Sequence, residues 1–144
     1  MIINLTGPIV LVHDFEQAID YYTRIFDARL IQDAASMHDT AVVLLALGTG
    51  QSRLSLMEAR HPQDKLLVGR QTGTLPIGLL HCEDLSQFRL NMKAMGVFLL
   101  EMPSGEQPTL QLEDLYGNRW LIRQSIEPTT LSLPDNQGLH FEFC

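Results

Sequence analysis

The chain of 144 residues carries 10 lysines and arginines against 17 aspartates and glutamates, which gives a formal net charge of −7 at pH 7. Because nucleic-acid binding depends on clustered basic side chains, this balance argues against a nucleic-acid partner. The hydrophobic content of 45% is that of a globular protein, and no apolar run approaches the roughly 18 residues needed to cross a membrane. We therefore expect one ordinary domain, or two small modules sharing a core, with no membrane or nucleic-acid partner.

The cysteine content and the N-terminus predict the compartment. Cys82 and Cys144 are the two cysteines, and the chain does not begin with a charged segment followed by an apolar one. One pair of cysteines in a chain of this length does not form a disulfide framework. We expect a reduced, cytoplasmic protein, and a bond between the two cysteines stays open.

The first half of the chain predicts a strand, a helix and three further strands. A short apolar strand begins at Pro8, and Asp14 with Gln17 has the spacing of a capping box at a helix N-terminus. Apolar residues then recur at helical spacing as far as Phe26. Strand-like segments follow, read as RLIQDA, TAVVLLAL and SRLSLME, with a glycine-rich hairpin turn at residues 48–50 before the last.

The second half repeats this plan. Asp84 and Gln87 have the same capping spacing as the first pair, and Asp84 lies 84 − 14 = 70 positions after Asp14. A helix is predicted to stop at Gly96, and the strands VFLLE, TLQLE and RWLIR follow. The repeat predicts two modules, at about residues 5–58 and 75–124, within one domain spanning residues 1–124.

Two segments lie outside the repeat. The connector at residues 59–74 is long for a compact domain, so we expect a functional loop or a segment that crosses to a partner subunit. The extension at residues 125–144 ends in GLHFEFC, whose alternation of apolar and polar residues predicts an edge strand.

Two motifs carry a family resemblance. VHDFEQAIDYYTRIF and EDLYGNRWLIR resemble the first helix and the late hairpin of the vicinal oxygen chelate superfamily, which includes glyoxalase I, extradiol dioxygenases, fosfomycin-resistance enzymes and bleomycin-binding proteins. The resemblance covers roughly Ile2 to Gln124, and it departs from the family at Leu115, where proline is usual. It implies an α+β fold of two βαβββ modules that form an open barrel-like cleft, and it implies a homodimer.

The resemblance also identifies where a metal would bind. Metal-dependent members take a His or Glu from the first strand of each module and a further carboxylate or His from the last strand. Carried over to this chain, the four positions are Gly7, Pro76, Leu121 and the segment at residues 53–55. Glycine, proline and leucine have no ligating side chain, and arginine repels a cation. We therefore expect no metal and no other cofactor.

Strand alternation predicts which side chains line the cleft. For the first module's last strand the alternate set of residues stays open, and for the two late arginines a solvated strand face is as good an explanation as contact with an anionic ligand. The residues predicted to bind a ligand are Ile9, Leu11, Arg53, Ser55, Gly78, Leu80, Arg119, Leu121 and Arg123. The residues predicted to pack beneath the helices are Val10, Val12, Leu79, Trp120 and Ile122.

The histidines and Cys82 are the remaining candidates for metal binding or catalysis. His140 and Glu142 would share a strand face and could hold a metal, although a polar edge strand explains them more simply. His13 and His81 each end a first strand and are expected to be turn residues. Cys82 is expected to be a small buried apolar residue, because its neighbour His81 would point to the opposite face of the strand. No catalytic residue is predicted.

Three functions are compatible with these patterns. The first is a metal-independent protein that binds a small organic molecule for sequestration or sensing. The second is a lyase, isomerase or dioxygenase of the same superfamily with a non-standard site. The third is an interaction module whose C-terminal extension adds a strand to a partner.

Overall fold

Each half of the chain folds as a four-stranded sheet with one longer helix. The computed structural model describes residues 1–3, 5, 7–33, 41–103 and 107–125. In chain order the elements are β1 Ile9–Val12, α1 Phe15–Phe26, β2 Arg29–Gln32, β3 Val42–Ala46, β4 Arg53–Glu58, α2 Pro62–Lys65, β5 Gly78–Cys82, α3 Leu85–Ala94, β6 Leu99–Met102, β7 Thr109–Glu113 and β8 Arg119–Gln124. The first sheet has the order β1-β4-β3-β2 and the second the order β5-β8-β7-β6. The predicted plan of strand, helix and three strands is confirmed in both halves.

Both longer helices begin at the predicted aspartates, although each capping box is only half formed. The Asp14 carboxylate accepts a hydrogen bond from the backbone N–H of Gln17 at 3.2 Å, and Asp84 accepts from Gln87 at 3.0 Å. The side chains of Gln17 and Gln87 do not bond back to the aspartate N–H groups and have other partners. Gln17 accepts from the hydroxyl of Tyr116 at 3.0 Å, and Gln87 donates along its own helix. The N-terminus of α1 is therefore fixed partly by a residue far away in the sequence.

The helix ends follow from backbone conformation. Gly96, predicted to stop α3, has a φ of 72°, which a residue with a side chain rarely adopts. Helix α1 has no glycine at this place, and Asp27 takes the left-handed conformation with a φ of 54°. Short polar side chains tolerate that conformation best after glycine, so aspartate can end the helix here. No helix in the described part of the chain is both long and apolar enough to cross a membrane.

The core of the first sheet lies on the face that α1 covers. In register, Val10 pairs with Leu56, and Leu56 pairs in turn with Val43. The sheet residues buried on this face are Val10, Val12, Val43, Leu45, Leu54 and Leu56, and those buried on α1 are Ala18, Tyr22 and Ile25. The prediction that Val10 and Val12 pack beneath a helix is confirmed.

The described chain packs as two compact units that do not coincide with the two modules. The first unit contains residues 1–78 together with the hairpin at residues 113–120, and the second contains the described residues of 79–112 and 121–144. The hairpin between β7 and β8 thus belongs, by its packing, with the first module. Within this first unit the Trp120 ring lies edge-on to Tyr22 and Phe26, with 6.1 Å between the centroids in each pair.

The connector closes the free edge of β1. β1 is the outer strand of its sheet, so its outward peptide groups have no strand partner. The Gln71 carboxamide takes that place: its Oε1 accepts from the N–H of Leu11 at 2.7 Å, and its Nε2 donates to the carbonyl of Ile9 at 3.0 Å. The Gln71 carboxamide therefore forms the two hydrogen bonds that a neighbouring strand would form with β1. The connector at residues 59–74 thus stabilises the edge of the sheet.

We predict that Gln71→Leu lowers the free energy of unfolding by about 1 kcal/mol, because it leaves two backbone groups of β1 without their protein partner. Urea unfolding of the purified protein measures this loss. The matched control is Gln63→Leu, which removes an exposed glutamine from α2 in the same connector. Equal midpoints for the two variants would show that the Gln71 carboxamide does not support the edge.

Candidate functional site

A buried carboxylate organises the hairpin that precedes β8. The side chain of Asp114 is almost fully buried, and its Oδ1 accepts from the backbone N–H groups of Tyr116 and Asn118, each at 2.9 Å. Its Oδ2 accepts from the Asn118 side chain at 2.9 Å and from the hydroxyl of Tyr22 on α1 at 2.5 Å. The indole N–H of Trp120 donates to the same Tyr22 hydroxyl at 3.0 Å. We call Tyr22, Asp114, Asn118 and Trp120 the Asp114 cluster.

The electrostatics of this cluster are those of a structural element. Burial raises the pKa of Tyr22 far above its usual value, and the negative charge and hydrogen bond of Asp114 raise it further. Burial also raises the pKa of Tyr21 to about 12, again with a contribution from the Asp114 charge. Because both phenols keep their protons at neutral pH, neither is suited to act as an acid or base there.

The open face of the first sheet, opposite α1, is largely apolar. The pairing register places Ile9 beside Ser55 and Leu11 beside Met57, so Arg53 and Ser55 share the face of Ile9 and Leu11. This settles the alternative that the sequence left open for β4. Ligand binding by these four residues stays a prediction. The members of this face are Ile9, Leu11, Val42, Leu44, Ala46, Arg53, Ser55 and Met57.

Polar groups are few on that face. Ser55 is 5% exposed, so its hydroxyl lies almost entirely out of contact with solvent. Arg53 lies at the end of the strand, where its guanidinium donates to the carbonyls of Gly50 and Ser52 at 3.1 and 3.0 Å. A surface of this kind favours a flat apolar molecule that makes one or two hydrogen bonds.

The first of the four metal positions cannot accept a side chain. Gly7 has a φ of 112°, and a Cβ built on it would lie 1.8 Å from the carbonyl oxygen of Arg53. A histidine at position 7 would therefore require the backbones of the two strands to separate. The backbone of β4 lies so close to Gly7 that the space for a side chain is occupied.

Strand β8 has the two faces predicted for it. Trp120 and Ile122 are buried, and they alternate with the half-exposed Arg119, Leu121 and Arg123. This confirms that Trp120 is a core residue. Leu121, at the position of the expected carboxylate, offers a hydrocarbon side chain on the open face.

The two arginines of β8 have different partners. The guanidinium of Arg119 donates to the carbonyl of Thr74 at 2.6 Å and lies 3.6 Å from a carboxylate oxygen of Glu113. The Nε of Arg123 donates to the hydroxyl of Thr109 at 3.0 Å. Among the residues that the structure describes, no carboxylate forms an ion pair with Arg123.

The structure reverses the two faces predicted for β5. Gly78 was expected on the face of Leu121, yet a Cβ built on it would lie 2.4 Å from the Trp120 ring, on the opposite face. Alternation places Leu80 with Gly78, and it places Leu79 and His81 on the open face, where both are exposed. Leu79, expected beneath a helix, is 45% exposed.

The reversed faces of β5 follow from the spacing of the two repeats. Gly7 and Pro76 are separated by 69 residues, whereas the paired aspartates Asp14 and Asp84 are 70 apart. A slip of one residue exchanges the two faces of a strand. Counted back from Asp84, the second first-strand position is Ile77, which also lacks a ligating side chain.

Histidine and cysteine form no metal site in the described ranges. No three His, Cys, Asp or Glu side chains among those residues lie close enough to hold an ion. His13 contacts the ring of Tyr116 edge-on at 5.4 Å. Cys82 is partly buried, and burial raises the pKa of its thiol, so the predicted role as a small apolar residue fits. The predictions for His140, Glu142 and Cys144, together with the terminal edge strand, fall outside the described residues.

Sequence reasoning missed two residues that position the site. Asp114 could have been found, because an Asp that precedes a Tyr-Gly-Asn turn commonly bonds to the backbone N–H groups after it. Gln71 carries no such signal, since its partners lie 60 and 62 residues away.

The sequence matches a known family. The model of the Glyoxalase/Bleomycin resistance protein/Dioxygenase superfamily matches residues 3–122. A protein of Shewanella frigidimarina, described as uncharacterised, is 28% identical over 119 residues, which are 80% of this chain and 88% of that protein.

Solved structures share the fold. UcmS2 superposes with a TM-score of 0.71 at 15% identity, over 87% of this chain and 100% of its own. TnmS3, an antibiotic binding protein from Streptomyces sp. CB03234, has a TM-score of 0.65 at 20% identity, over 85% and 96%. The fosfomycin resistance protein FosX from Listeria monocytogenes has a TM-score of 0.64 at 17% identity, over 85% and 91%. The predicted α+β class with two βαβββ modules is thereby confirmed.

We predict that Asp114→Asn lowers the free energy of unfolding by about 3 kcal/mol, because an amide cannot accept all four hydrogen bonds and leaves buried donors unsatisfied. Chemical unfolding followed by the fluorescence of Trp120 measures the loss. The control is Asp20→Asn, which neutralises an exposed carboxylate on α1. A loss no larger than that of the control would contradict a central role for Asp114.

We predict that alkaline pH destabilises the protein. Burial raises the pKa of all three tyrosines, so the folded protein retains protons that the unfolded chain releases above the usual tyrosine pKa of about 10. The free energy of unfolding should be unaffected by these groups below about pH 10 and should fall as the pH rises above it. Ultraviolet absorbance of tyrosinate, recorded against pH, should rise together with unfolding. Titration of the tyrosines at their usual pKa in the folded protein would contradict this.

Proposed function

Since the chain belongs to the Glyoxalase/Bleomycin resistance protein/Dioxygenase superfamily, we propose that it is a metal-independent protein that binds a small organic molecule. It holds its ligand for sequestration or sensing and makes no covalent bond with it. The observation that carries the proposal is that the Arg53 backbone leaves no space for a side chain at position 7, where metal-dependent relatives would place their first ligand.

The residues at the other ligand positions support the same conclusion. Ile77, Leu121 and the segment at residues 53–55 stand there, and none of these residues carries a carboxylate or an imidazole. Divalent ions bind through such oxygen and nitrogen donors, so this set does not fit a metal. We therefore infer that the protein has the fold of the family without its usual metal ligands.

The open sheet faces supply binding surfaces in place of a metal. On the first sheet, Leu11, Leu44 and Met57 offer an apolar floor, and the partly exposed Arg53 lies at its edge. Apolar surface with a few placed polar groups is the usual composition of a small-molecule site. It allows affinity for a ligand without a reactive centre.

The solved relatives illustrate both branches of the family. TnmS3 is an antibiotic binding protein, and a mutant of FosX has been solved with Mn(II) and a dihydroxypropylphosphonic acid. At these low identities the likeness shows the fold alone, so the residues must decide between the branches. The absence of a ligating side chain at positions 7, 77 and 121 favours the binding branch.

An enzymatic alternative depends on His81. His81 lies on the open face of β5 and is a side chain capable of acid–base chemistry. A lyase, isomerase or dioxygenase with a non-standard site would need a second group to work with it. A ligand recovered unchanged after prolonged incubation with the protein would argue against this alternative.

We further propose that the protein is a cytoplasmic homodimer, as pairing of chains is common in this family. The described residues expose large apolar side chains that a second copy could cover. They include Leu66 at 76% exposure, Leu75 at 67% and Phe98 at 79%. Isolated exposed leucines are ordinary, but several on one small protein favour self-association.

We predict that native mass spectrometry of the purified protein shows a dimer with no bound metal, and that a chelator changes neither its thermal unfolding temperature nor its binding of N-phenylnaphthylamine, a neutral aromatic probe. The reason is that the positions of the family's ligands lack donors. Stoichiometric Ni, Zn, Mn or Fe, or binding that requires the metal, would contradict the proposal. A monomer would contradict only the dimer.

A further inference from the structure

Arg123 is held at one edge of its guanidinium and has no ion-pair partner among the described residues. Its Nε donates to the Thr109 hydroxyl at 3.0 Å, which restricts the orientation of the group. In the described part of the chain Arg123 forms no ion pair, while Arg119, two residues earlier on the same face, is bonded to Thr74 and lies beside Glu113. An arginine oriented in this way keeps terminal N–H donors available for a planar acceptor.

His81 shares this face on the neighbouring strand. Gly78 faces Trp120, so alternation turns Leu79 and His81 toward the side of Leu121 and Arg123. The backbone N–H of Ser125 donates to the carbonyl of Cys82 at 2.7 Å, which places the end of β5 beside the end of β8. The imidazole of His81 is exposed and carries at least one N–H donor in either protonation state.

Two apolar side chains share this face with Arg123 and His81. Leu121 and the exposed Leu79 lie on the same face of β8 and β5. An arginine bonds a carboxylate or a similar oxyanion through two parallel N–H groups, and the bond is stronger where neighbouring surface is apolar. The net charge of −7 gives the protein no general attraction for anions. Any preference for an anion must therefore come from local contacts.

We propose that the open face of the second sheet recognises a flat apolar organic anion, with Arg123 and His81 binding its oxyanion and Leu79 and Leu121 contacting its hydrocarbon part. This inference rests on the proposed function and gives it a ligand class, of which an aromatic carboxylate is the simplest member. Thr109 is a positioning residue, because it orients the guanidinium.

Two matched probes test the proposal. Anilinonaphthalene sulfonate is aromatic and anionic, and N-phenylnaphthylamine is nearly the same molecule without the sulfonate. Each is titrated by fluorescence against the full chain and against Arg123→Gln, Arg123→Lys and a control, Arg24→Gln. The control removes an equal charge from α1, where Arg24 lies near Asp20. Thermal unfolding temperatures establish that each variant is folded.

We predict that Arg123→Gln weakens binding of the anionic probe about tenfold or more, because one charge-assisted hydrogen-bonded contact is lost. Binding of the neutral probe should be unchanged, Arg123→Lys should retain part of the affinity, and Arg24→Gln should behave as the original chain. His81→Leu should also weaken the anionic probe selectively.

Two outcomes would overturn the inference, and they are distinguishable. If both probes bind and Arg123→Gln affects them equally, or affects neither, the protein binds small molecules without recognising the anion through Arg123. If neither probe binds the original chain, the proposed function itself fails, and the inference fails with it.

Discussion

The Asp114 carboxylate is the interaction on which the first unit depends. Four donors from three residues converge on it: the Tyr22 hydroxyl of α1, the backbone N–H groups of Tyr116 and Asn118 in the turn, and the Asn118 side chain. A buried charge is costly unless hydrogen bonds compensate it, so these donors must be in place together. The cluster therefore fixes the turn, the start of β8 and the position of helix α1 at the same time. Since Tyr22 also accepts from Trp120, the lone tryptophan is oriented by the same carboxylate.

The parts of the fold that the sequence predicted are those set by short-range chemistry. The helices begin at Asp14 and Asp84 because an aspartate side chain can satisfy an N–H group three residues ahead. The faces of β1 and β8 follow from alternation within a few residues, as the burial of Val10 and Trp120 shows. The two family motifs, in the first helix and in the late hairpin, could be recognised because they contain residues that bond to one another in the fold. The Tyr of the first helix and the Asp and Asn of the late turn are the residues that meet in the Asp114 cluster.

The parts that the sequence did not predict depend on register or on distant partners. The face of β5 was reversed because a separation between repeats that is wrong by one residue exchanges the two faces, and no local pattern in GLLHC opposes the exchange. The role of Gln71 was missed because an amide that closes a strand edge needs only to reach it in space, and the loop before it gives no periodic signal. The hydrogen bond between Gln17 and Tyr116 could not be predicted for the same reason, because the two residues are 99 positions apart in the sequence.

The division of each strand into two faces explains how, in our proposal, the family's fold can persist without its metal ligands. In β8, Trp120 and Ile122 belong to the core, whereas Leu121 and Arg123 lie on the open face and contribute no bond to the Asp114 cluster. A carboxylate at position 121 can therefore be replaced by leucine at little cost to folding. Position 7 differs, because the approach of Arg53 excludes any side chain there. Leucine at 121 by itself could be reversed by one substitution, but restoring a ligand at position 7 would require the strands to move apart. The backbone at Gly7, more than the identity of any single open-face residue, is what removes this protein from the metal-dependent branch in our proposal.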